Sequence, residues 1–148
     1  MCRCRAVIKG AKTERCLLMR NSKLLEKSDE NMKAAELMAN QKMYNAATSR
    51  AYYSLYQKVL HILEDHPFLE IAEKGESQRG PHEINISRVE LVLQVGEDRK
   101  VATTLRYFKD IRQSCDYGSD FLINSKHYQR QIKKMLLKTN SILETYCN

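Results

Sequence analysis

The side chains with chemical potential lie in two short stretches and at one histidine between them. Residues 47–53 read ATSRAYY, and residues 112–117 read RQSCDY. The candidate site residues are Arg50, Tyr53, His82, Arg112, Asp116 and Tyr117. An arginine guanidinium binds a phosphate through paired hydrogen bonds, and a tyrosine hydroxyl can add another. These residue types therefore favour a site for a phosphate-bearing ligand.

A simpler interpretation exists for three of these residues. Arg112 and Asp116 are four residues apart, which is the spacing at which opposite charges pair on a helix. His82 follows Gly80 and Pro81 and precedes a predicted helix, so it can be a helix-start histidine without a chemical role. The structural and the functional interpretations both stay open at this stage.

Several other chemistries are not supported by the sequence. It contains no Gly-rich phosphate loop, no nucleophile elbow and no zinc-protease motif. Its four histidines do not combine with a serine and an aspartate in the order of a hydrolytic triad. We expect His61 to be partly buried or at the surface and His127 to add to a basic helix. Neither is expected to act as a base.

The net charge of +7 indicates a polyanionic partner such as RNA, DNA or a nucleotide, and less often an acidic protein. Residues 1–20 form one basic segment, which can be a solvated arm or a phosphate contact. The last predicted helix forms a second, through Lys126, Arg130, Lys133, Lys134 and Lys138. The alternative is that the charge only keeps a small protein in solution.

The cysteines are odd in number and scattered along the chain: Cys2, Cys4, Cys16, Cys115 and Cys147. Without a recognisable secretion signal, this pattern predicts free thiols in a reducing cytoplasm. The three N-terminal cysteines lack a matching fourth ligand, so we predict no metal site, and no cofactor is expected. No run of about 18 apolar residues occurs, so no membrane-spanning segment is predicted.

Residue composition predicts an all-α protein. Helix-forming residues dominate, only two prolines occur, and alternating β-branched residues are almost absent. The clearest helical periodicity runs from Asn45 to Glu64, where apolar residues recur at steps of three and four. Arg50 and Tyr53 lie on the polar stripe beside that apolar face. This helix is therefore expected to be the centre of the fold and one wall of the site.

Further helices are predicted over about residues 21–39, 82–95, 98–117 and 125–146, with a polar loop over 68–80. Gly96 is the predicted stop of the third helix, and Asp98 and Ser125 are the predicted caps of the next two. We expect a basic arm, residues 1–20, followed by one domain, residues 21–148. This domain should be a compact up-and-down bundle of about four to five helices.

The two stretches, in this order and with these helices between them, resemble the HEPN superfamily. Residues 47–53 match an A-x-S-R-x-Y-Y signature, and residues 112–117 match an R-x-x-x-D-Y signature of prokaryotic HEPN proteins. The resemblance extends from Leu24 to Tyr146 and leaves out the N-terminal arm. It implies a HEPN-like helical bundle that forms a homodimer with a shared polar cleft, to which Arg50 and Arg112 would both contribute.

Many HEPN proteins are RNA-cleaving toxins that pair with a small nucleotidyltransferase antitoxin. Others act in phage defence or bind nucleotides without cleavage. The cleaving members carry an arginine followed, about four to six residues later, by a histidine, and this pair activates the 2′-hydroxyl and stabilises the phosphate without a metal. In this chain the residue five positions after Arg112 is Tyr117, and an ordinary tyrosine, with a pKa of about 10, is a poor base.

The sequence therefore predicts a homodimeric RNA- or nucleotide-binding protein of a toxin–antitoxin or phage-defence system. One alternative is a metal-independent endoribonuclease that uses Arg112 with Tyr117, or with His82 or His61 across a dimer. The other alternative is a protein–protein adaptor that pairs with a nucleotidyltransferase.

Overall fold

The computed structural model describes residues 22–69 and 80–148, and every regular element in these two segments is helical. The helices are α1 (Ser22–Asn40), α2 (Tyr44–Glu64), α3 (Pro81–Val92), α4 (Lys100–Tyr117) and α5 (residues 125–147). A 3₁₀ turn, Gly96–Arg99, precedes α4, and α5 includes a π-helical stretch, Tyr128–Ile132. The all-α prediction is therefore confirmed for this part of the chain. The predicted arm, residues 1–20, and residues 70–79 of the predicted loop lie outside it.

Helix α2 is the centre of the bundle, because it packs against each of the other four helices. Its apolar residues recur at steps of three and four and form a continuous buried face. The fully buried members are Ala47, Ala51, Leu55 and Val59. The small side chains on this face let α1 approach closely enough for the Ser28 hydroxyl to donate to the Ser54 carbonyl at 2.8 Å. Central position and close packing both follow from the pattern in the sequence.

Helices α4 and α5 also bury apolar stripes. They include Val101, Leu105, Phe108 and Ile111 on α4, and Tyr128, Ile132, Leu136 and Leu143 on α5. Helix α3 is shorter than the predicted range of 82–95, since it ends at Val92. Its buried apolar residues are Ile86 and Val89, whereas Leu91 and Val95 are 44% and 75% exposed. No helix in these segments is long and apolar enough to cross a membrane.

The directions of the helices differ from a strict up-and-down bundle. The hydrogen-bonded pairs are Ser49–Asp116 and Tyr53–Arg112 between α2 and α4, and Tyr52–His82 and Tyr56–Asn85 between α2 and α3. In the two pairs with α4, the residue number on α4 falls as the residue number on α2 rises, so α4 runs antiparallel to α2. In the two pairs with α3, both residue numbers rise together, so α3 runs in the same direction as α2. Helices α2 and α3 are consecutive in sequence but do not form an antiparallel hairpin.

The structure corrects three predicted helix boundaries. Gly96, with a φ of 54°, begins the 3₁₀ turn instead of ending α3. Asp98 does not cap α4, because its carboxylate accepts a hydrogen bond from the Tyr146 hydroxyl. Asn124, not Ser125, caps α5 through its side-chain oxygen. Residues suited to capping lie close together at these ends, and local spacing does not choose between them.

A buried cation joins α2 to α5. Lys58 is 5% exposed, and its ammonium donates hydrogen bonds to Asn140 at 2.7 Å and to Glu144 at 2.9 Å. The hydrogen bond from Lys58 lowers the pKa of the Glu144 carboxyl, although burial opposes this shift. Because a buried charge is stable only when it is paired, these contacts fix the register of α5 against α2.

Candidate functional site

The two sequence stretches meet at Arg112. Its guanidinium donates from Nη1 to the Asp116 carboxylate at 3.0 Å and to the Tyr53 hydroxyl at 3.1 Å. Asp116 also accepts a hydrogen bond from the Ser49 hydroxyl at 2.5 Å. The ion pair expected from the four-residue spacing is therefore present. It is also part of a larger arrangement, since α2 supplies two further partners.

Two adjacent aromatic rings contact the guanidinium. The Arg112 Cζ lies 5.3 Å from the centre of the Tyr53 ring and 5.8 Å from that of Tyr52. Such contacts stabilise a cation that is partly removed from water. The side chain is only 15% exposed, and its Nε is buried without a hydrogen-bond partner among the described residues. The protein thus holds this arginine in one place.

His82 contacts the same two tyrosines. Its Nδ1 is 2.6 Å from the Tyr52 hydroxyl oxygen. Its ring stacks on Tyr56, with centroids 4.1 Å apart and planes 10° apart. Asn85 holds Tyr56 by donating to its hydroxyl at 2.8 Å. Burial, followed by the positive charges of Arg112 and Lys109, lowers the pKa of His82, so the imidazole is neutral near pH 7.

The start of α3 explains the position of His82. Gly80 has an extended conformation and Pro81 takes the first helical position, where its missing N–H is not needed. Glu83, the residue after His82, links this turn to α4 through ion pairs. Its carboxylate accepts hydrogen bonds from Arg106 at 2.7 Å and from Lys109 at 2.5 Å. The imidazole is thus anchored by its own contacts and by those of its neighbour.

We expect Glu83→Gln to lower the free energy of unfolding by about 1 to 2 kcal/mol at pH 7. Burial alone would raise the pKa of Glu83, but the hydrogen bonds from Lys109 and Arg106 outweigh it and hold the pKa below 4.5. As the pH falls, the unfolded chain takes up this proton first. The contribution of the carboxylate is therefore present above about pH 4.5 and is lost as the pH falls further.

Urea unfolding at neutral and acidic pH measures this effect. The difference between the parent and Glu83→Gln should shrink at about pH 3. Glu90→Gln is the matched control, because Glu90 is 46% exposed and Arg106 is its single ion-pair partner within residues 22–69 and 80–148. At pH 7 this control should lower the free energy of unfolding by less than Glu83→Gln does. An equal loss for Glu83→Gln at both pH values would contradict the ionic origin of the effect.

These contacts join six residues, which we call the Arg112 cluster: Ser49, Tyr52, Tyr53, His82, Arg112 and Asp116. Four of its members, Tyr53, His82, Arg112 and Asp116, are among the residues predicted for the site. Ser49 and Tyr52 were not, although both lie within the first stretch. The missed signal is the helical period: Tyr52 and Tyr53 lie three and four residues after Ser49, and Tyr56 lies four and three residues after them, so all four share one side of α2.

Two predicted site residues lie outside the Arg112 cluster. Arg50 is exposed, and its guanidinium contacts Asn31 of α1 at 3.4 Å. Tyr117 is 77% exposed at the end of α4, and its side chain forms no hydrogen bond or ring contact with the described residues. The structure therefore does not join either residue to Arg112 within one chain. A role for them in binding stays a prediction.

The remaining candidates for chemistry contribute little to the cluster. Burial, together with the charge of Asp116, raises the pKa of the Cys115 thiol to about 11, so this thiol is not a nucleophile at neutral pH. His61 is buried on α2, and His127 lies 3.5 Å from the Tyr107 hydroxyl. Within residues 22–69 and 80–148, no group of His, Cys, Asp and Glu side chains is placed to hold a metal ion.

Comparison with known proteins does not assign a family. No protein-family model matches the chain, and no significant match is found among curated proteins or solved structures. The Arg112 cluster and the sequence resemblance are therefore the two features that indicate a function.

Proposed function

We propose that the Arg112 cluster binds a phosphate group of RNA or of a nucleotide. The observation that carries this proposal is the Arg112 guanidinium, which is held against two tyrosine rings and lies close enough to a neutral imidazole to influence its pKa. A guanidinium held in place loses little freedom when it binds an oxyanion, so more of the interaction appears as affinity. The Tyr53 hydroxyl, which accepts from Arg112, can donate a further hydrogen bond to the ligand.

The charge distribution supports a polyanionic ligand. The exposed face of α5 carries Lys126, Arg130, Lys133 and Lys134. None of these four forms an ion pair within the part of the chain that the structure describes. Lys138, by contrast, is paired with Glu97 at 2.7 Å. Unpaired basic side chains, together with a net charge of +7, attract a nucleic acid from a distance and make its binding salt-dependent.

The HEPN resemblance adds three features to this proposal. They are a HEPN-like homodimer with a shared cleft, a role in a toxin–antitoxin or phage-defence system, and a nucleotidyltransferase partner. The support for these elements is the pair of signatures at residues 47–53 and 112–117. Within one chain these two signatures are in direct contact through Tyr53, Ser49, Arg112 and Asp116.

RNA cleavage is the second candidate function. The observation in its favour is that His82 lies on the same pair of tyrosines as Arg112, so an imidazole and a guanidinium are available in one chain. The exposed position of Tyr117 gives no support to its use as a substitute base. Binding without cleavage remains the primary proposal, because the sequence lacks the histidine that follows the arginine in cleaving HEPN proteins.

Titration of labelled single-stranded RNA tests the proposal with a variant that should gain affinity. Asp116→Asn keeps the shape and the hydrogen bond from Ser49 but removes a negative charge that competes for Arg112. We expect it to bind RNA about three- to tenfold more tightly than the parent at low salt. A gain of affinity cannot arise from unfolding. The RNA should stay intact on a gel.

Three outcomes would decide against the proposal. Unchanged or weaker binding by a folded Asp116→Asn variant would place the ligand elsewhere. Shortened RNA that depends on Arg112 would establish the endoribonuclease instead. Co-purification with a nucleotidyltransferase, with no retention of RNA or nucleotide at low salt, would favour the adaptor.

A further inference from the structure

The Tyr52 hydroxyl is buried and has a single hydrogen-bond partner among the described residues. The residue is 0% exposed, and the partner is His82 Nδ1 at 2.6 Å. A phenol carries one hydrogen, and a neutral imidazole carries one hydrogen on either of its nitrogens. Two arrangements are possible: the hydroxyl donates to Nδ1, or Nδ1–H donates to the hydroxyl oxygen. They differ in which atom His82 presents to a ligand.

We propose that Tyr52 donates to Nδ1 of His82 and so fixes the imidazole proton on Nε2, which makes His82 a hydrogen-bond donor to the oxyanion that Arg112 binds. Tyr52 is thereby a positioning residue. The ligand half of this inference rests on the proposed function. The tautomer half concerns the free protein and can be decided without any ligand.

Donation from the Tyr52 hydroxyl to Nδ1 is favoured because it gives this buried hydroxyl hydrogen an acceptor. If Nδ1–H were the donor, the Tyr52 hydrogen would need another acceptor. None of the hydrogen bonds of the described residues provides one. The adjacent Tyr56 hydroxyl is engaged by Asn85. Buried donors without acceptors are rare in folded proteins, so the hydroxyl hydrogen is assigned to Nδ1.

Ring stacking holds the imidazole in the orientation that this hydrogen bond needs. His82 stacks on Tyr56 at 4.1 Å and 10°, and its plane lies within 20° of the Tyr52 ring, whose centre is 5.6 Å away. A half-turn of the imidazole about its Cβ–Cγ bond would keep the stacking but put a carbon in the place of Nδ1, so the hydrogen bond would be lost. The burial and the positive neighbours of His82 also favour its neutral form. A single neutral tautomer in a single orientation is therefore expected.

The other nitrogen, Nε2, is the one that a ligand would meet. It forms no hydrogen bond with the described residues and is not among their buried polar atoms that lack a partner. The His82 ring lies 6.4 Å from the Tyr53 ring, and the Arg112 Cζ lies 5.3 Å from the same ring. In the proposed complex, the Nε2–H and the guanidinium donate to oxygens of the same phosphate group. The lone pair that a general base requires is engaged at Nδ1, so this arrangement favours binding over deprotonation of a 2′-hydroxyl.

Nuclear magnetic resonance of ¹⁵N-histidine-labelled protein identifies the protonated nitrogen directly. We expect long-range ¹H–¹⁵N correlations of the parent at about pH 7.5 to show His82 as the Nε2–H tautomer. Tyr52→Phe keeps the ring and removes the donor, so it should show a substantial Nδ1–H population. Tyr56→Phe is the matched control, because it removes a neighbouring hydroxyl that does not contact Nδ1. It should keep the parent tautomer.

Inorganic phosphate is the probe for the ligand half. Its dissociation constant should rise about three- to tenfold in Tyr52→Phe, with a smaller change in Tyr56→Phe. A parent that carries the Nδ1–H tautomer overturns the inference, whether or not RNA binds. Unchanged phosphate affinity in a folded Tyr52→Phe variant overturns the donor role of His82. A parent with the Nε2–H tautomer that binds neither phosphate nor RNA refutes the proposed function and leaves the tautomer assignment standing.

Discussion

Arg112→Gln is expected to weaken RNA or nucleotide binding by about tenfold to a hundredfold. Hydrogen bonds to charged groups contribute about 1.5 to 3 kcal/mol, and this substitution removes a charge as well as the paired donors. Glutamine is long enough to keep a contact with the Tyr53 hydroxyl, and Asp116 keeps its hydrogen bond from Ser49. The loss should therefore appear mainly in affinity. Fluorescence anisotropy of labelled RNA over a series of salt concentrations measures it.

Two matched controls separate the Arg112 cluster from general electrostatics. Lys134→Gln removes the same formal charge from the exposed face of α5 and should weaken binding by less than about threefold at low salt. Arg50→Gln removes a charge from α2 itself, three residues before Tyr53, where the hydrogen bond that the side chain forms with the described residues goes to Asn31 and not to the Arg112 cluster. Equal losses for Lys134→Gln and Arg112→Gln would mean that binding is not localised at the cluster.

Leu55→Ala is expected to lower the free energy of unfolding by about 3 kcal/mol. Leu55 is fully buried on the core face of α2, where every neighbouring helix meets this one. Truncation removes apolar contacts and leaves a cavity, since close-packed surroundings relax only in part. A domain of this size has a total stability of roughly 5 to 15 kcal/mol, so the loss is a large share of it. Urea or thermal unfolding followed by circular dichroism measures the change.

Leu37→Ala is the matched control for this effect. Leu37 lies on α1, which packs on α2, but its side chain is 63% exposed. The same change of residue there should shift the free energy of unfolding by no more than about 0.5 kcal/mol. A similar loss for both variants would mean that Leu55 is not in the core. Because Tyr52 and Tyr53 lie on the same helix as Leu55, a Leu55→Ala variant should also lose RNA affinity as it unfolds on warming.

The helices themselves were largely predictable, because the spacing of apolar residues that marks a helix is a local pattern in the sequence. The periodicity from Asn45 to Glu64 gave α2 to within one residue, and the apolar steps of α4 and α5 gave their buried faces. Leu91 and Val95 show the limit of this argument. Their apolar character suited a longer α3, but the backbone leaves the helix at Leu93, with φ −93° and ψ 66°, and both side chains are exposed.

The candidate site was predictable only in part. The ion pair of Arg112 with Asp116 follows from a spacing of four on one helix, and sequence alone determines it. The hydrogen bond between Tyr52 and His82 joins residues 30 positions apart, and that between Tyr53 and Arg112 joins residues 59 positions apart. Such contacts depend on how α3 and α4 are arranged around α2. No local pattern contains that information.

The sequence by itself determined that this chain is helical, which helix has the longest apolar face and where an arginine meets a carboxylate. The tertiary structure decided the rest. It placed α3 parallel to α2, which brings His82 to Tyr52, and it left Tyr117 exposed at the end of α4. The physical reason is the range of the interactions. Helical spacing acts over one turn, whereas the packing that builds the Arg112 cluster depends on the shapes of side chains far apart in the chain.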